Sequence, residues 1–238
     1  MKRAIILSHT AMWPPRFCTS VFVDGRQVRL RKQGNLPLTY ADINFRDEDI
    51  MRYWQPGGMV DLPDLLIPPH AREARPTHPE DTIVSPGDIQ LYTDRCTDVE
   101  FAQIINQCRA GSLEELFPGI SPAVGHWGPE KRYILLDVPR RLQRSVGYVG
   151  CTGVELFEDT YNGVTKIRVR AYQGRNCIGN FPLNGVQQQQ AFRDGDIESG
   201  VRYPNVTIRF SLADVWDNRG QDIPKCYVMV SHIHGLPE

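Results

Sequence analysis

What most constrains this chain is a string of short strand-like runs, each cut off by a Gly, Pro, Asn or Asp turn. Runs 20–23 and 27–30 flank Asp24-Gly25. Asp-Gly between two alternating runs predicts a hairpin, because it tolerates the positive φ of a type I′ turn. Run 4–7 is apolar and reads as a central strand. Run 60–67 contains Pro63 and ends at Pro68-Pro69, so any strand there is short or lies at an edge. Runs 83–84 and 89–92 flank the turn Ser85-Pro86-Gly87-Asp88.

The second half is written in the same style. Run 133–138 is a strand stopped by Pro139. Run 146–157 carries Gly147, Gly150 and Gly153, and glycines inside a strand mark bulges or strong bends, as in a small barrel. Asn162-Gly163 separates it from run 164–172. There, from Ile167 onward, apolar residues alternate with arginine and leave one basic face. Runs 206–210 and 226–230 complete the set.

Helices are few. Residues 98–110 form the best one, with Thr97 or Asp98 as its cap and an apolar stripe through Phe101, Ile104 and Cys108. Ser112-Leu113-Glu114-Glu115 is a capping-box pattern ahead of a short helical turn. Residues 42–54 hold another helix, and the four-glutamine run 187–190 belongs to a helical insertion or a loop. Strand–helix alternation of a doubly wound sheet is missing. The expected fold class is mainly β with a minor α+β share: two tandem small OB-like β-barrels joined by a short helical segment. The expected domains are residues 1–95, a helical connector 96–128, and residues 129–238. The chain's 20 glycines and 18 prolines fit many turns.

Charge narrows the function. The chain has 27 Lys and Arg against 28 Asp and Glu. That balance excludes holding nucleic acid by overall charge and leaves a local basic face open. The acids concentrate at 42–49, 94–100, 155–159 and 194–198. The six cysteines are scattered without a C-x-x-C pair and read as mostly buried thiols in a reducing cytoplasm. The first apolar run is too short for a signal peptide, and no stretch is long enough to span a membrane.

Catalytic signatures are lacking: no G-x-S-x-G, no H-E-x-x-H, no Walker lysine and no dinucleotide fingerprint. No catalytic residue, metal or cofactor is therefore assigned. His232-Ile233-His234 has no further ligands in sequence and reads as a strand end. Cys18 with His9 offers a thiol–imidazole pair only if the fold brings them together with an orienting group. Asp42, Asp47, Glu48 and Asp49 read as the solvated face of a short helix.

Basic and aromatic residues are the more informative pattern. Trp13 and Arg16 precede the first hairpin, which carries Arg26, Arg29, Arg31 and Lys32. Lys166, Arg168, Arg170, Tyr172 and Arg175 occupy the equivalent feature of the second half. A basic groove with aromatic platforms, here also Trp54 and Trp127, is what single strands and flipped bases require. A solvated sheet face is the alternative reading. His78, Glu80 and Asp81 form a polar turn of unassigned role.

The sequence also resembles the prokaryotic dual-OB-domain proteins. The resemblance runs through the N-terminal strand, Arg16-Phe17-Cys18, and segment 25–30. His78-Pro79-Glu80-Asp81 is similar to the family's His-Pro-Glu-Asn motif, and the ladder 166–183 and closing strands 206–212 and 225–233 also match. It implies two barrels in tandem, no established catalytic residue, and nucleic-acid or nucleotide recognition in a defence or conflict setting. The expected function is a non-enzymatic module for single-stranded nucleic acid or a nucleotide. A protein-interaction scaffold, docking through segment 56–79, and an unrecognised nuclease or nucleotide hydrolase are the alternatives.

Overall fold

The structure, a computed structural model, describes residues 1–12, 15–34, 36–43, 47–63, 65, 78–123, 131–135, 144–213 and 225–237. It is mainly β, with two sheets in two barrel-like units. The division falls between Cys108 and Arg109.

In the first unit β1 (Lys2–Ala11), β2 (Arg16–Val23) and β3 (Arg26–Arg31) form an antiparallel meander. Asp24 and Gly25 turn between β2 and β3 with φ of 51° and 73°, so the predicted hairpin forms. β4 (Leu38–Thr39) pairs with the start of β2. After α1 (Asp47–Tyr53), β5 (Gly58–Leu62) returns beside β1. β6 (Asp81–Ile83) runs parallel to β3, and β7 (Gln90–Arg95) runs antiparallel to β5. The predicted turn between them forms a single 3-10 turn, Pro86–Asp88, yet β6 and β7 do not pair with each other. These pairings give both strands one direction, so together they stand in for an interrupted fifth strand.

The first core follows strand alternation. Ala4, Ile6, Phe17, Val21, Val28, Leu30 and Val60 point inward around Trp54, which is fully buried. Trp54 Nε1 donates to Thr19 Oγ1 at 2.7 Å, and its ring meets Phe17 edge-on. α2 (Asp98–Gln107) then starts at Thr97, whose hydroxyl accepts from Glu100 N at 3.2 Å while Glu100 Oε2 accepts from Thr97 N at 2.9 Å.

The second unit begins with β8 (Arg109–Ala110), α3 (Leu113–Leu116), β9 (Ser121–Ala123) and β10 (Lys131–Leu135). Its barrel is built by β11 (Val146–Tyr161), β12 (Val164–Gln173), β13 (Asn176–Pro182), α4 (Val186–Asp194), β14 (Arg202–Leu212) and β15 (Lys225–His234). The four glutamines lie inside α4. β11, β12 and β13 form a meander, β14 returns beside β11, and β15 pairs with β14. The chain leaving β13 swings to β15, where Leu183 and Val230 form a parallel bridge and Asn184 N donates to Val230 O at 2.8 Å. A three-strand meander, a helix, and two strands closing on the first and third make the connectivity of a five-stranded OB barrel. The first unit shows the same order, with α1 between its third and fourth strands.

β11 bends where its glycines suggest. Cys151 and Val154 both belong to the core, so the strand switches faces across Thr152 and Gly153. Opposite them Asn205 of β14 has a φ of 54°.

The first barrel closes through charge. Arg29 and Asp81 face each other across the parallel β3–β6 pair, and both are buried. Arg29 Nε donates to Asp81 Oδ1, and Nη2 donates to Oδ2 at 2.9 Å. Burial alone would raise the Asp81 carboxyl, but the Arg29 guanidinium outweighs it and holds the group below the usual carboxylate range. Breaking such a pair from one side costs about 3–5 kcal/mol. Asp81→Asn should therefore lower the unfolding free energy by about that amount in urea titrations. The double change Arg29→Leu with Asp81→Leu should recover part of the loss, because the pair is then removed from both sides, while buried Arg31 still loses the nearby Asp81 charge.

His9 makes the stability of the first unit depend on pH. It is buried between Phe17 and Tyr40, with ring centroids at 5.1 and 5.9 Å, and Nε2 lies 3.2 Å from the Tyr40 hydroxyl. Burial pushes its pKa down to about 4, opposed in part by a hydrogen bond to the Trp54 backbone. Below pH 6.5 the unfolded chain takes up a proton that the folded one refuses until about pH 4. Stability should fall across that window by up to about 3 kcal/mol. Thermal melts of His9→Met between pH 7 and 4.5 should show a flatter dependence than the parent.

Candidate nucleic-acid interface

The outer face of the second barrel is built around β12. Ile167, Val169 and Ala171 enter the core, so Arg168, Arg170 and Tyr172 point outward and stay partly exposed. The predicted basic face of this strand therefore forms. In an OB barrel this second strand belongs to the surface that takes oligonucleotides.

Tertiary structure adds two arginines from outside the predicted set. β14 places Arg202 opposite Glu155 of β11. Its guanidinium lies 4.0 Å from the centre of the Tyr172 ring, and Nη2 donates to Gly174 O at 3.1 Å. Where β12 stops, β8 takes up the β11 edge in parallel and brings Arg109 alongside. Two glycines make room for these groups. A Cβ on Gly150 would lie 2.0 Å from Arg109 Nη2, and one on Gly153 would lie 2.6 Å from Arg202 Nε. Gly150 and Gly153 thus act as seats for guanidinium groups as well as marking a bend.

Two carboxylates hold the row in order. Arg170 Nη1 donates to Glu155 at 3.2 Å and its Nε to Asn180 Oδ1 at 3.3 Å, while its guanidinium stands 5.0 Å from the Phe157 ring centre. Arg168 Nε donates to Asp159 at 3.0 Å. The Arg170 side chain remains 34% exposed, so it can meet a ligand without leaving Glu155. Burial, with a hydrogen bond to Glu155, raises the Tyr172 phenol above its ordinary value. Lys166 and Arg175 are exposed at the two ends of β12. Lys166, Arg168, Arg170, Arg202 and Arg109 thus share the neighbourhood of β11 with Glu155 and Asp159. Successive outward residues of a strand lie about 7 Å apart, so the row is a ladder of cations with an aromatic ring at Tyr172.

The first hairpin has a different fate. Arg29 is buried against Asp81, and Arg31 is buried as well. Neither guanidinium is presented to solvent as a phosphate contact would need. Arg16 and Arg26 are exposed. Lys32 is bound by Asp42 at 3.0 and 2.8 Å. His78, Glu80 and Asp81 are all buried at the β3–β6 seam, and Glu80 O accepts from Arg29 N at 2.7 Å. The polar turn of unassigned role is thus the closing element of the barrel. Trp54 is a core side chain with no face free for a base, and Trp13 and Trp127 lie outside the described residues.

The remaining expectations resolve locally. Asp42 accepts from Thr39 N at 2.7 Å and serves as a cap. Asp49 is partly exposed, and the side chains of Asp47 and Glu48 lie outside the described residues. Among the described residues no three His, Cys, Asp or Glu side chains converge as metal ligands. His232 is buried, with Nδ1 2.7 Å from Gln188 Nε2, and His234 is exposed. Cys108, Cys151 and Cys226 are buried, Cys18 and Cys96 are half-buried, and Cys177 is exposed. Burial pushes the Cys151 thiol up to about 12. No helix among the described residues is long and apolar enough to cross a membrane.

No protein-family model matches the chain, and no curated protein matches it. Among solved structures it is similar to the p204 HINb domain, at 10% identity and a TM-score of 0.34, over 96% of this chain and 95% of that one.

Proposed function

We propose that the chain is a non-enzymatic module that binds single-stranded nucleic acid, or a nucleotide, on the outer face of β11 and β12. The observation that carries this reading is the ladder of Arg168, Arg170, Arg202 and Arg109 beside the partly exposed Tyr172. Guanidinium groups chelate phosphate, and an aromatic ring stacks any base. In a chain with no overall cationic excess, binding of this kind draws on a local basic face such as this one. Arg175 extends the ladder at the β12–β13 turn. Arg16 and Arg26 of the first hairpin offer an auxiliary contact. On the resemblance of its sequence motifs to the dual-OB-domain proteins, we extend the reading to a role in a prokaryotic defence or conflict system in the cytoplasm.

Fluorescence anisotropy with labelled single-stranded and duplex oligonucleotides, from low to high salt, tests the reading. Single strands should bind more tightly, with affinity falling as salt rises. Arg170→Ala and Arg202→Ala should each weaken binding to every sequence and lower the salt slope by about one. Tyr172→Ala should cost about 1–3 kcal/mol with little change in slope. Binding that is absent at low salt, or equal in all three variants and the parent, overturns the reading.

A further inference from the structure

Glu155 stands in the middle of the arginine ladder, and orienting Arg170 uses only part of what its carboxylate can do. Strand alternation puts it there. Val154 and Leu156 enter the core, so Glu155 between them points outward. In register it faces Arg170 of β12 on one side and Arg202 of β14 on the other. An ionised carboxylate accepts about four hydrogen bonds on its two oxygens. Arg170 Nη1 supplies one at 3.2 Å, and the Tyr172 hydroxyl supplies another. The Glu155 side chain is 21% exposed, which leaves it room to accept from a ligand. Asp159, further along β11, is 45% exposed and bonds Arg168 without a phenol beside it.

The groups around Glu155 match the parts of one nucleotide. Arg170 offers a cation to a phosphate, and Tyr172 with Arg202 over its ring offers a platform to a base. Directly opposed side chains on neighbouring strands lie about 5 Å apart, and successive outward ones on a strand about 7 Å apart. In a nucleotide the sugar joins the base to the phosphate. The side chain adjacent to both the phosphate cation and the aromatic ring is therefore the one that meets the sugar, and that side chain is Glu155.

We propose that Glu155 is the ribose contact of the ladder, its carboxylate accepting a hydrogen bond from a 2′-hydroxyl, so that this face takes single-stranded RNA in preference to single-stranded DNA. The proposal rests on the single-strand reading given above. The 2′-hydroxyl is the donor that DNA lacks. A hydrogen bond to an ionised acceptor is stronger than one between neutral groups. Arg170 and Tyr172 already hold the carboxylate, so little side-chain freedom is lost when it accepts a third bond. Deoxyribose placed there would strip water from the carboxylate and return nothing. A negative charge within a phosphate-binding row weakens the binding of every strand, and the ribose bond offsets that cost for RNA alone. A carboxylate that only oriented Arg170 would act on both nucleic acids equally.

The test uses the full chain and anisotropy with labelled oligouridylate, oligodeoxyuridylate and 2′-O-methyl oligouridylate of equal length at one salt concentration. The three share base and charge and differ at the 2′ position. Oligouridylate should bind about tenfold more tightly than the deoxy form. The 2′-O-methyl form cannot donate from that position and should bind like the deoxy form. In Glu155→Leu, which has no acceptor, the preference for RNA over DNA should shrink to about twofold or less. Circular dichroism melts confirm that the variant is folded, and the 2′-O-methyl comparison in the parent protein decides the point without it. Equal affinity for RNA and DNA, 2′-O-methyl binding as tight as RNA, or a preference that survives Glu155→Leu overturns the ribose contact and leaves the ladder standing. Failure of all three oligonucleotides to bind overturns the ladder itself.

Discussion

A five-stranded barrel closes only when its third and fifth strands meet, and in the first unit a buried guanidinium and carboxylate make that meeting. β6 is three residues long and pairs in parallel, the weaker of the two ladder geometries. Few backbone hydrogen bonds hold it. The Arg29–Asp81 pair supplies the directional contact that so short a strand lacks, and it specifies one register. The seam of the second barrel needs no charge. Leu183 and Val230 close it inside a large apolar core fed by β11, β14 and β15.

That difference governs where function can lie. On β3, the third strand of the first unit, Arg29 and Arg31 are buried at the seam, and Arg29 is committed to Asp81. On β12 of the second unit the acids Glu155 and Asp159 are themselves partly exposed, so their arginines are oriented without being buried. Such exposed pairs are weak in water and exchange partners readily. Arg170 is therefore open to solvent, whereas Arg29 is not. Two hairpins of similar composition thus have opposite roles, one closing a barrel and one offering a surface.

The outer face of β11 shows how the surface is assembled from distant parts. Arg109, Arg168, Arg170 and Arg202 come from three different strands and meet along a fourth. Glycine at 150 and 153 is what lets two of these side chains lie flat.

Local physics determined much of this in the sequence itself. Asp24-Gly25 forms the predicted hairpin because its φ values are intrinsic to those residues. Thr97 starts α2 because the capping oxygen and its partner lie three residues apart. Arg168, Arg170 and Tyr172 share a face because a strand repeats every two residues. What the chain order does not contain is contact between distant segments. Asp81 lies 52 residues from Arg29, and nothing near either one says that they pair. The division of 83–84 from 89–92 into strands that close on different partners is equally non-local. So is the arrival of Arg202 over Tyr172. Whether an arginine is a seam or a surface depends on which acid the fold brings to it, and only the closed barrel decides that.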